Sequence, residues 1–212
     1  LLVHNRRVIA RLDDSVAQLA AGSPQVLRRA RGYVPLALPL ATHAGELALG
    51  GQQKNTIAQG LGPVAILSAH HGELDHAATF AAFKAATSRI AELYHCPPRQ
   101  VLIDAHPDYM SSVFGMKLAK EKHLILTAIW HHIAHVHAVI AEHSLELPVL
   151  GIAWDGMGLG EHQALLGGEA FRVTPEASLH CGSLQPFPLP GGEAAIREPR
   201  RAALGLLYAA EG

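Results

Sequence analysis

The sequence has little cysteine, few aromatics and no long hydrophobic run. Two cysteines, Cys96 and Cys181, in 212 residues exclude a disulfide framework and a four-cysteine zinc site. No apolar run reaches the ~18 residues of a membrane-spanning helix. No basic stretch leading into an apolar one marks a signal peptide, so the cytoplasm is the expected compartment. Charge of one sign is also missing: 17 Lys and Arg face 18 Asp and Glu, a formal net charge of −1. That balance sets up no global field for nucleic acid or an acidic membrane, and neither is expected as a partner. Aromatics are only 5%, yet the hydrophobic fraction of 49% supports a packed core and excludes whole-chain disorder. What is abundant is histidine, 15 residues, more than an ordinary core requires.

Residues 1–35 carry six arginines (Arg6, Arg7, Arg11, Arg28, Arg29, Arg31) against two acids, Asp13 and Asp14. Such a segment is either a solvated basic face or a phosphate site, since guanidinium forks bind phosphate bidentately. The run Tyr33 to Leu40, with Pro35 and Pro39, reads as an extended exit strand followed by a linker. A domain boundary is expected near residues 38–46. A strand and turn are then predicted over Glu46–Gly51, and strands over Thr56–Ala58, Val64–Ser68, Val101–Asp104, Leu124–Leu126 and Val149–Trp154. Helices are predicted over about 75–94, with Phe80, Phe83, Ile90 and Leu93 on one stripe, and over Tyr109–Lys120, Ile129–His143 and Arg200–Ala210. Strands alternating with helices argue an α/β layered fold. Both ends of the sequence interrupt patterned segments, so a longer parent protein is expected.

Four stretches carry candidate chemistry. In His131-His132-Ile133-Ala134-His135-Val136-His137, His131 and His135 stand at i, i+4, project about 40° apart on a helix and can reach one ion. His132 and His135 form a second pair, and His137 points away. Imidazole suits Zn, Fe, Ni or Cu, and further ligands are needed. His132 occupies the place of a zincin glutamate, which argues against a metalloprotease. Asp155-Gly156-Met157-Gly158-Leu159-Gly160 follows an apolar strand: Asp155 is a metal-ligand candidate, and the glycines are either a phosphate-facing turn or a tight hairpin. Gly50-Gly51-Gln52-Gln53-Lys54-Asn55-Thr56 is either a phosphate contact through Lys54 or a solvated hairpin. Asp104, His106 and Asp108 follow a strand end, where open α/β sheets place ligands. There Asp104 and His106 are cleft candidates, and Asp108 reads as a helix cap.

Taken in order, these stretches resemble the HypF family of hydrogenase-maturation carbamoyltransferases. The resemblance is carried by His4-Asn5-Arg6, by Arg11-x-Asp13-Asp14-Ser15-Val16 and by Arg28-Arg29-x-Arg31-Gly32-Tyr33-Val34-Pro35. Leu49-Gly50-Gly51 with Lys54-Asn55-Thr56, and Ser68-x-His70-x-Gly72-Glu73-Leu74, continue it. Asp104-x-His106-Pro107-Asp108-Tyr109, His131-His132-x-Ala134-His135, Asp155-Gly156 with Gly167-Gly168-Glu169, and Pro190 to Pro199 complete it. It implies that residues 1–40 are the end of a YrdC-like α/β domain and 41–45 a linker. Residues 46–212 would be the first part of a Kae1-like domain of actin/Hsp70 type. It implies an ATP-dependent carbamoyltransferase using carbamoyl phosphate. A carbamoyl-adenylate would carry the group to the C-terminal cysteine of a HypE-type acceptor, on the way to the cyanide ligand of [NiFe]-hydrogenase.

By the same resemblance, His131, His135 and Asp155 are ligands of a divalent metal, Fe or Zn. Gly156, Gly158 and Gly160, with Lys54, face phosphate of Mg-bound ATP. Arg11 and Ser15 belong to a nucleotide pocket on the YrdC-like side. This chain alone would be incomplete and inactive. Ile133 stands where the family has a further histidine, and Met157, Leu159, His162, Gln163 and Leu166 depart from its loop. A relative acting on a tRNA or small-molecule acceptor, or a silent metal- or partner-binding module, is the alternative.

Overall fold

The structure, a computed structural model, describes residues 5–6, 8–160 and 164–211, with the side chains of Met157 and Glu193 excepted. His4, Arg7, His162 and Gln163, named above, lie outside the described residues. The chain forms two compact units that divide between His131 and His132.

The first unit opens with β1 (Val16–Ala20) and β2 (Ser23–Arg28), an antiparallel pair forming its own small sheet. Ala21 and Gly22 join them at φ 49° and 79°, the double positive φ whose twist matches the strands of a two-residue hairpin. The main sheet has six strands in the order β3-β6-β5-β4-β7-β8. These are β3 (Leu36–Pro39), β4 (Glu46–Ala48), β5 (Ala58–Gly60), β6 (Val64–Leu67), β7 (Gln100–Asp104) and β8 (Ile125–Ile129). β3 to β6 pair antiparallel, whereas β4, β7 and β8 run parallel. The parallel half is joined through α1 (Ala77–Leu93) and α2 (Met110–Lys122), the crossover that parallel strands demand. β3 ties residues 36–39 into this sheet through its pairing with β6.

Leu47, Leu49, Ile57, Leu74, Phe83 and Val101 are completely buried at the centre of that unit. Phe80 stacks on Phe83 at 5.9 Å, and Phe114 of α2 meets both rings edge-on. Leu93 departs from the expected stripe and is 64% exposed. At about 100° per residue it stands some 60° past Ile90, beyond the face that Phe80 begins. Gly115 lets α2 sit on β7, since a β-carbon there would overlap Ile103.

The second unit holds nearly all of α3 (His131–His143), then β9 (Val149–Leu159), β10 (Leu165–Val173), β11 (Ser178–Ser183), α4 (Glu193–Arg197) and α5 (Pro199–Glu211). The strands form an antiparallel sheet in the order β11-β10-β9. Its core is Val136, Ala153, Phe171 and Val173, with Ile133, Ile140 and Val149 packed against it. The α/β class read from the alternation of elements is the class observed. No helix among the described residues is long and apolar enough to cross a membrane.

Candidate metal centre

Two local periodicities build the site. On α3, Ile133, Val136 and Ile140 recur at helical spacing and press against the core, which leaves His131 and His135 together on the neighbouring strip. On β9, Ala153 points into that core, and Asp155, two residues on, lies on the same face of the strand. His135 Nε2 lies 3.5 Å from Asp155 Oδ2. One ligand atom from each of His131, His135 and Asp155 falls within 4.8 Å of the others. Asp155 Oδ1 accepts the Gly156 N–H at 2.7 Å, which orients the carboxylate. Two imidazoles and a carboxylate suit a divalent ion such as Zn or Fe and leave coordination positions for water or substrate. The residues present therefore fit the metal implied above. His137 turns away, 2.7 Å from Ser178 Oγ of β11. His132, the i, i+3 alternative, is 1% exposed and outside the cluster.

At the end of β7, Asp104 is 9% exposed and holds three contacts. Its Oδ2 lies 2.7 Å from His131 Nδ1, its Oδ1 accepts the His106 N–H at 2.8 Å, and its carbonyl accepts the Ser112 hydroxyl at 2.8 Å. Asp104 thus has a definite partner in His131. His106 stacks flat on Tyr109, centroids 4.1 Å apart. The capping role expected of Asp108 is corrected. Tyr109 is the N-cap of α2 and has no side-chain cap bond, and Gln52 Oε1, from the glycine turn, accepts the Met110 N–H at 2.8 Å.

That turn is no loose hairpin. Buried Asn55 donates from Nδ2 to the carbonyls of Leu49 and Gly51, each at 2.7 Å. Gly50 sits at φ 65°, where a β-carbon would meet the Thr56 carbonyl oxygen at 2.6 Å. Gly51 faces His131 and Asp104: a β-carbon there would lie 3.8 Å from His131 Cε1 and 4.0 Å from Asp104 Oδ2. Lys54 is exposed at φ 49°.

The glycine-rich segment after Asp155 differs from the expected turn. Gly156 and Gly158 continue β9, and Gly158 stands opposite Leu166. Gly160 lies just past the end of β9, its N–H bonded to the Ala164 carbonyl at 2.9 Å. The ladder with β10 carries the strand past its apolar stretch, an outcome that the glycine spacing alone does not reveal.

Arg11 forks onto the Asp13 carboxylate at 3.4 and 3.1 Å. Ser15 Oγ donates to the Arg31 carbonyl at 3.0 Å and accepts the Ala30 N–H at 2.8 Å, a local tie between two loop segments. Arg11, Asp13, His70, His71 and Arg89 line a cavity of about 130 Å³. Burial, followed by neighbouring His70 and Arg11, lowers the pKa of His71 to about 4. His70 is lowered too, by burial first and Arg28 second. Sequence reasoning gave these histidines no role, because two adjacent histidines in a loop carry no spacing signal. It likewise gave no role to Glu169, which is 3% exposed and whose Oε2 lies 2.6 Å from His180 Nε2.

Comparison with known proteins agrees with the sequence resemblance. Residues 41–142 match the HypF Kae1-like domain, and residues 151–212 match the second subdomain of the carbamoyltransferase Kae1-like domain. Carbamoyltransferase HypF of Synechocystis is 43% identical over 98% of this chain and 27% of its own length. HypF2 of Cupriavidus necator is 41% identical over 98% of this chain and 26% of its own. The crystal structure of a full-length HypF in its phosphate- and nucleotide-bound form superposes with a TM-score of 0.88 at 35% identity, covering 97% of this chain and 27% of that one. HypF of T. kodakarensis gives a TM-score of 0.84 at 30% identity, over 93% and 26%. The chain thus spans about a quarter of the length of these relatives.

Proposed function

The chain belongs to the HypF carbamoyltransferase family, and from that premise we propose that it contributes the metal-bearing part of an ATP-dependent carbamoyltransferase site. In this reading carbamoyl phosphate and Mg-ATP yield a carbamoyl-adenylate in a YrdC-like domain, whose end is residues 1–40. The carbamoyl group then passes to the C-terminal cysteine of a HypE-type acceptor in a Kae1-like domain, whose first part is residues 46–212. The observation that carries the reading is the convergence of His131, His135 and Asp155 within 4.8 Å.

His131, His135 and Asp155 would hold Fe or Zn. Such an ion supplies Lewis acidity and a template for phosphate or carbamoyl oxygen. Lys54 would add a point charge toward phosphate from its exposed turn. Gly156, Gly158 and Gly160 would offer backbone N–H groups and a close approach free of side chains. Arg11 would exchange Asp13 for phosphate oxygens, and Ser15 would keep the loop that carries it in place. Two separate domains for the two half-reactions would shield a labile intermediate from water.

The strand conformation of residues 156–158 favours a second reading, a catalytically silent metal- or partner-binding module. Two measurements separate them. Elemental analysis of the purified chain is expected to find one equivalent of Fe or Zn, lost in the His131→Ala/His135→Ala double variant. Carbamoyl-phosphate-dependent ATP turnover is then measured in a protein of the relatives' full length that carries this sequence. Turnover that the double variant abolishes supports the transferase, and metal binding without turnover leaves the silent module.

A further inference from the structure

Resting on the metal reading above, we infer that Asp104 is the positioning residue that prepares His131 for metal, by holding the ring proton on Nδ1 and leaving Nε2 as the ligand nitrogen. Asp104 lies 27 residues before His131 at the end of β7, yet its Oδ2 is 2.7 Å from His131 Nδ1. A carboxylate only accepts, so the short contact requires an N–H at Nδ1. A neutral imidazole then carries its lone pair on Nε2. Ligating histidines are commonly oriented in this way by a carboxylate on the other ring nitrogen.

The carboxylate itself is fixed. Its side chain is 7% exposed, its Oδ1 takes the His106 backbone N–H at 2.8 Å, and Ser112 Oγ ties the Asp104 carbonyl at 2.8 Å. The donor on Oδ1 cannot trade places with His131. The backbone N–H of His106 cannot become an acceptor. That constraint gives a sharp consequence for the isosteric change Asp104→Asn. The amide oxygen must face the His106 N–H, so the amide NH₂ faces His131 Nδ1. The histidine then has to accept at Nδ1 and carry its proton on Nε2, where the metal would bind. Asp104→Ala removes the acceptor without imposing the wrong tautomer.

The test uses the full chain. Zn²⁺ affinity is measured by competition with a chromophoric chelator, the His131 tautomer by ¹⁵N–¹H correlation in the metal-free chain, and stability by thermal melting. Wild type is expected to carry its proton on Nδ1, and Asp104→Asn on Nε2. Zn²⁺ affinity should fall about 100-fold in Asp104→Asn and about 10-fold in Asp104→Ala. The alanine variant should show the larger drop in Tm, since it strips the His106 N–H of its acceptor. A merely structural role would reverse the affinity order, and that order, or an unchanged tautomer in Asp104→Asn, overturns the inference. The metal reading fails separately, if wild type binds Zn²⁺ no tighter than the His131→Ala/His135→Ala variant. In that case a ring proton that Asp104→Asn moves from Nδ1 to Nε2 upholds the positioning of His131 by Asp104, and an unmoved one overturns it.

Discussion

Gly151 of β9 lies directly against Val136 of α3, so close that a β-carbon at 151 would overlap the Val136 Cγ1 methyl and stand 2.8 Å from Cγ2. His135 precedes Val136 in α3, and Asp155 follows Gly151 by four residues in β9. The close approach of helix and strand is therefore what brings this imidazole and this carboxylate together. Gly151→Ala should push α3 outward at a cost of about 1–3 kcal/mol. It should also weaken Zn²⁺ binding although no ligand is changed. Urea unfolding and chelator competition read the two effects, and wild-type values in both would show that the packing does not hold the site.

His131→Ala should abolish stoichiometric metal, whereas His137→Ala should leave it intact. His137 is occupied with Ser178 at 2.7 Å on the far side of the helix. Elemental analysis after exhaustive dialysis distinguishes the two, and equal loss from both would break the assignment of the helical pair.

Asn55→Ala should destabilise the first unit by about 2–3 kcal/mol, because it deletes two buried donors to the Leu49 and Gly51 carbonyls and strands both acceptors. The turn also seats Gln52 on the N-terminus of α2, so amide exchange in the first turn of α2 should quicken. A variant with wild-type stability and exchange would reduce Asn55 to a spectator.

Mild acid should destabilise the protein through His71. The folded His71 takes a proton only near pH 4, against 6.5 for an unperturbed ring, with burial the leading cause. Unfolding therefore takes up a proton between these values, and the stability present above pH 6.5 declines as pH falls toward 4. The loss is on the order of 3 kcal/mol. His70 acts in the same direction. The ring of His71 faces Phe83, with Ser68 Oγ at 3.3 Å. Denaturant titrations from pH 7.5 to 4 should show this decline, and His71→Gln should flatten it. An equal slope in the variant would place the acid sensitivity elsewhere.

Much of the α/β order was legible because helix and strand periods are local. Phe80, Phe83 and Ile90 marked α1, and the run from Val101 to Asp104 marked β7. The hairpin of β1 and β2 went unread because most of its residues are exposed, so no apolar alternation announces it. Asp108 looked like a cap because its type and place suited one, but Gln52 reached α2 from 58 positions earlier in the sequence.

The sequence by itself marked His131, His135 and Asp155 as candidate ligands, and the fold brings one ligand atom of each within 4.8 Å of the others. The i, i+4 spacing of His131 and His135 is a property of any helix, and Asp155 closes an apolar strand run, so the three need only one helix and one strand to meet. Only the tertiary structure decided what surrounds them. The partnership of Asp104 with His131 spans two strand ends, the fit of Gly51 beside them depends on the turn that Asn55 ties, and the strand conformation of Gly156 and Gly158 depends on pairing with β10. The first joins residues 27 apart in sequence, and the other two depend on a side-chain tie and a strand partner, none of which a helix or strand period encodes.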